Sequence, residues 1–108
     1  MEKQDNVVLL RELLGSKLVA YIASESKTST IAEWAEGRSE PHGEVYSRLT
    51  IALLLARLLA LTEHPSVIQA WMQGSEDSEM PAPARILREG SFEECVRLLP
   101  EELQEEVW

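Results

Sequence analysis

Cysteine is almost missing from this chain. The sole thiol, Cys95, leaves no partner within 108 residues for a disulfide. A small secreted domain stapled by disulfides is excluded, and a reducing cytoplasm is the expected setting. Positive charge is scarce too: 10 Lys and Arg face 19 Asp and Glu, a net charge of -9. Tight nonspecific binding to nucleic acid or anionic lipid needs cations to meet phosphates, so it is disfavoured. Long hydrophobic runs are also lacking. The longest, Ile51 to Leu61, is interrupted by Arg57 and falls short of the roughly 20 residues that span a bilayer. The opening MEKQDN is acidic and polar, unlike a signal peptide. There is no Gly-rich phosphate loop, and His42 and His64 sit in no ligand-spaced cluster. No metal, cofactor or enzymatic activity is therefore expected.

What is present is apolar spacing of the helical kind. Hydrophobic residues make up 44% of the chain, enough to pack a globular core. No stretch alternates as a strand would, and no repeat is visible, so the chain reads as all-α. Asn6 is placed to cap a first helix with Val7, Leu10, Leu13 and Leu14 inward, and Gly15 ends it. Ser16 is placed to cap a second, with Leu18, Val19, Ile22 and Ala23 on its inner side. A polar run at 24–29 precedes the core positions Ile31, Trp34 and Ala35, and Gly37 closes that segment. Pro41 and Gly43 mark a boundary between an N-terminal domain, 1–43, and a second, 44–108.

The long helix from Glu44 to about Glu63 is apolar on nearly every side at its centre. It should be buried all round, with Ile51, Leu54, Leu55 and Leu58 inaccessible to water, or lie in a homodimer interface. Val67, Ile68, Trp71 and Met72 then share one face of a short helix closed by Gly74, and Trp34 and Trp71 are expected to be mostly buried. Pro83 opens another short helix, with Ile86 and Leu87 on its apolar side, and Gly90 stops it. Ser91 and Glu94 form a Ser-x-x-Glu capping box for a helix carrying Phe92, Cys95, Val96 and Leu99. On that apolar face Cys95 is expected to be buried and unreactive. Pro100 starts a last turn or two, EELQEEVW.

Residues 16–41 carry a helix-turn-helix pattern, with the turn at 24–27 and TSTIAEWAEG as the second helix. Ile31, Trp34, Gly37 and Pro41 follow the spacing of the Xre/Cro repressor type, which the segment resembles. Lys27, Thr28, Ser29 and Thr30 would face a major groove, with Glu33 beside them, and Arg38 and Arg48 would join Lys27 in meeting phosphates. The bland alternative is a packing unit that binds no DNA, and Glu25, Glu33, Glu36 and Glu40 favour it.

The order of elements after residue 44 resembles the toxin-binding domain of the Xre/MbcA/ParS antitoxins. The features that carry the resemblance are the Leu/Ala-rich helix, Val67-x-x-x-Trp71, Pro83-Ala84-Arg85-x-Leu87-x-x-Gly90 and a final helix. Together with the helix-turn-helix they cover nearly the whole chain. The loop after Trp71 departs from the family: Gln73 to Met80 stand where Asn-Pro and a Leu are usual, with Met80 at the place of the Leu.

The resemblance implies an all-α antitoxin whose N-terminal helix-turn-helix bundle is joined by a long buried helix to a small toxin-binding domain. Its partner would be a cognate RES-type toxin that degrades NAD, occluded by direct contact. Operator DNA would be a second partner where the antitoxin represses its own promoter. The expected toxin contacts are Trp71, Arg85, Arg88, Glu105, Glu106, Val107 and Trp108. Trp108 either folds back beside Leu103 or projects as an anchor, since Trp is enriched among interface hot spots. An acidic tail tipped by Val107 and Trp108 would suit a cleft built for a pyrophosphate and a ring. Two other readings stay open: a repressor without a toxin partner, and an adaptor that has lost DNA binding.

Overall fold

In the computed structural model, residues 2–74, 82–101, 104 and 105 are described. Those residues form helices and connecting turns, with no strand among them. The helices are α1 (Glu2–Leu14), α2 (Ser16–Ile22), α3 (Thr28–Glu36), α4 (Gly43–Ala60), α5 (Pro65–Gln73), α6 (Pro83–Glu89) and α7 (Phe92–Val96). The fold is all-α. Its two long helices, α1 and α4, pack against each other, and the short ones close around the pair. One cluster of buried side chains runs from Val7 through Ile31, Ile51 and Ile68 to Leu99. It draws on residues before and after position 43 alike. α2 reaches across to α6, and α1 to α5. Among the described residues, no polar or charged side chain is fully buried.

α1 begins four residues earlier than its expected cap. Asn6 lies inside the helix, and its Nδ2 donates to the Tyr46 hydroxyl at 2.9 Å. Tertiary contacts hold the added turn: Gln4 donates to the Ala35 carbonyl at 3.2 Å, and the Lys3 ammonium lies 5.1 Å from the Tyr46 ring centre. Packing thus extends the helix beyond what local capping suggests. Ser16 is likewise not a cap. Gly15 occupies that position with φ +86°, and the Ser16 hydroxyl accepts from Arg11 Nε at 3.3 Å. A positive φ is what lets α1 turn into α2 through one residue.

α4 departs from an all-round burial. Leu49, Ile51, Ala52, Leu53, Leu55 and Ala56 are enclosed by the neighbouring helices. Leu54 is only half-buried, Leu58 is 36% exposed and Leu61, just past the helix, is 79% exposed. These three recur at i, i+4 and i+7, one stripe of a helix. No described helix covers its outer end, so the expectation of a water-inaccessible Leu54 and Leu58 fails there. α5 divides similarly. Ile68 and Met72 are fully buried, while Val67 is 48% and Trp71 39% exposed. The four residues form two adjacent i, i+4 stripes, and only the inner one reaches the core. Trp71 thus keeps far more of its surface open than Trp34, which is buried.

Candidate functional site

Two surfaces gather the residues singled out by the sequence. The first surrounds α3. Five residues, Ala23 to Lys27, separate it from α2. Ser24 takes a left-handed φ of +59°, and the amides of Ser24 and Glu25 donate to the Tyr21 and Ala20 carbonyls. This closes α2 and delivers Lys27 to the cap position of α3. Ile31, Trp34 and Ala35 are buried, while Lys27, Thr28 and Ser29 are exposed and Thr30 is half-buried. At the far end, Gly37 adopts φ +80° and the amides of Gly37 and Arg38 donate to Trp34 and Glu33 carbonyls. Arg38 is exposed but held by Glu36 at 2.7 Å, and Glu40 lies 3.9 Å from Lys3. Most cations of this surface are therefore partly neutralised by its own carboxylates. Lys27 alone of these makes no ion pair with a described residue.

Arg48 does not belong to this surface. From α4 its Nη1 donates to the Leu87 carbonyl at 2.6 Å, and its Nη2 meets Glu44 Oε1 at 2.7 Å. Nη1 also lies 3.9 Å from Cys95 Sγ. The guanidinium thus satisfies a carbonyl in the last turn of α6, a group that the helix itself leaves open. The expectation of a phosphate contact is corrected: the side chain is only 15% exposed and joins α4, α6 and α7. Cys95 is fully buried, as its apolar spacing predicts, and its thiol donates to the Ile86 carbonyl at 3.4 Å. Burial pushes the thiol pKa up, with Arg48 opposing in part. A raised pKa keeps the nucleophilic thiolate rare. His42 precedes α4, and His64 caps α5 by accepting from the Ser66 amide at 3.2 Å. Among the described residues no group of three or more His, Cys, Asp or Glu could hold a metal ion. No helix among them is long and apolar enough to cross a membrane.

The second surface lies where α2, α5 and α6 meet. A groove of about 280 Å³ opens there, with Leu18, Met72 and Ala84 forming its floor. Lys17, Tyr21 and Arg85 stand around it. Arg85 is exposed and pairs with Glu89 one turn on, at 3.0 Å. That hydrogen bond and the charge of Glu89 raise the guanidinium pKa further. Arg88 lies over the Tyr21 ring, 4.6 Å from its centre. Pro83 at the start of α6 and the capping box of Ser91 and Glu94 after it fix the short helix between two well-defined ends.

The structure brings Arg85 and Arg88 together with Tyr21. Trp71 stands apart, on the outer stripe of α5 with Val67. Glu105 is exposed; beside it Gln104 donates from its amide to the Pro100 carbonyl and from its side chain to that of Leu99. Glu106, Val107, Trp108, Leu103 and Met80 lie outside the described residues. Sequence reasoning missed Lys17 and Tyr21, which share a helix face at i, i+4 one step away from the inner face of α2. The chain matches no protein-family model, no curated protein and no solved structure.

Proposed function

We propose that this chain is an antitoxin that binds and occludes a cognate toxin, an NAD-degrading enzyme of the RES type. The supporting observation is the outer stripe of α5, where Val67 and Trp71 stand 48% and 39% exposed beside a fully buried inner stripe. Large apolar side chains left open on an ordered helix mark a protein contact more often than a catalytic one. The order of sequence motifs shared with the Xre/MbcA/ParS antitoxins supplies the kind of partner. The docking contacts are Trp71 on α5 and, apart from it, Arg85 and Arg88 on α6, and the tail with Glu105, Glu106, Val107 and Trp108 enters the toxin's substrate cleft.

Coexpression with the product of the neighbouring gene tests this. The two proteins are expected to copurify, and NAD loss in the host is expected to stop. Deleting residues 101–108 should restore toxin activity while weakening the complex only in part. A neighbouring protein that neither copurifies nor consumes NAD would overturn the proposal. Full silencing by the truncated chain would move inhibition from the tail to the body of the domain.

The same chain is proposed to pair with a second copy through the stripe of Leu54, Leu58 and Leu61, whose exposure grows toward the end of α4. Sedimentation as a monomer at tens of micromolar would overturn this. Repression of its own promoter is the second reading, favoured by the open row Lys27, Thr28 and Ser29 at the start of α3. A mobility shift on that promoter at low salt is its test.

A further inference from the structure

Among the described residues, the groove between α2, α5 and α6 is lined mainly by cations and apolar groups. The sequence carries nearly two acids for each base, yet no carboxylate is among the described residues that line the groove. Lys17 and Arg85 line it, and Arg88 lies next to it over Tyr21. Glu89 offsets Arg85, but Lys17 makes no ion pair with a described residue and Arg88 faces a ring instead of an acid. The floor is apolar, and Tyr21 leaves 38% of its surface open above it. At about 280 Å³ the groove falls just below the roughly 300–1,000 Å³ typical of small-molecule sites. It is sized for an anchoring side chain of a peptide.

From this charge complementarity we propose that the groove receives an acidic peptide segment of a partner protein, with an aromatic or large aliphatic side chain seated on Leu18, Met72 and Ala84. Carboxylates on either side of that anchor meet Lys17 and Arg88, and the Tyr21 ring packs against it. The selectivity is a sign rule: a basic segment is repelled by the same groove. The proposal shares Arg85 and Arg88 with the toxin-docking surface and rests on that reading only for who the partner is.

Panning a library of random twelve-residue peptides against the immobilised full chain tests the chemistry without any toxin. Enriched peptides are expected to carry acids flanking a Trp, Phe or Leu. In fluorescence anisotropy they should bind at least tenfold more weakly to the Lys17→Glu/Arg88→Glu variant, retain binding to Lys17→Arg, and lose affinity as salt rises. Circular dichroism of each variant checks that the helices persist. Enrichment of neutral or basic peptides, equal binding to the charge-reversed variant, or no enrichment at all would overturn the proposal. Enrichment only after Glu76, Asp77 and Glu79 are changed to Ser would also overturn it, because the chain's own loop would then be the occupant. Failure of the toxin to copurify, with acidic peptides still selected, would remove the antitoxin reading and leave the groove's specificity standing.

Discussion

Around α3, Arg38 is clasped by Glu36, and Glu33 and Glu40 stand close by in the chain. At the α2–α6 groove, Lys17 and Arg88 have no such carboxylate among the described residues, and only Arg85 is paired. Both surfaces present three cations from a chain that has only ten. They differ in the company those cations keep. A paired exposed guanidinium gains little from a new anion, because it must give up the old one. An unpaired one offers its full attraction, and beside an aromatic ring it does so in a less hydrated setting. The count of basic residues along a helix is therefore a poor guide to what a surface attracts.

The largest effect expected is at Arg48, which decides to which surface that residue contributes. Arg48→Met should cost about 2–3 kcal/mol, the loss of a charge-assisted hydrogen bond with a carbonyl left open. Thermal melting should fall by about 10 °C. Unchanged melting with weakened retention on DNA would return Arg48 to the α3 surface.

Next comes the outer stripe of α5. Trp71→Ala should cost about 1 kcal/mol of stability, since 39% of the residue is exposed, while weakening the toxin complex by about 2 kcal/mol. Titration calorimetry and chemical denaturation separate the two numbers, and the reverse pattern would make Trp71 a core residue. A smaller gain is expected from Glu36→Gln/Glu40→Gln, which frees Arg38 and Lys3. Retention on promoter DNA at low salt should rise about fivefold, roughly 0.5 kcal/mol per released surface charge, with peptide selection at the groove unaltered. The smallest effect belongs to Lys27→Ala. It should flatten the dependence of log K on log salt by about 0.9, one phosphate contact, without changing base preference. An unchanged slope would leave α3 as scaffold.

Most helices were legible from residue type because their ends are chemically marked. Gly37, Pro83, Gly90 and the Ser91–Glu94 box each act within one turn, so a local reading suffices. Asn6 and Ser16 carried the same kind of mark and misled. The first turn of α1 is held by Tyr46 and Ala35, which are distant in sequence. Side-chain partners were hardest to foresee. Arg48 looks like any surface base until α6 is packed beside it, and the groove needs Tyr21 from α2 and Arg85 from α6 in register. Val67 and Trp71 share the apolar spacing of Ile68 and Met72. Which stripe faces inward depends on where α1 and α4 leave room.

The thiol under Arg48 makes the molecule its own clock. Cys95 can react with a labelling reagent only when the contacts with Arg48, Ile86 and Leu87 part, so its modification rate counts those openings. Where reclosing outpaces labelling, the ratio of that rate to the rate in unfolded chain gives the opening equilibrium directly. A ligand seated at the groove and bound only to the closed form would slow the clock in proportion to its occupancy. A single-site timing measurement in solution would thus report engagement of the α6 wall through the chain's native thiol, with no further cysteine introduced.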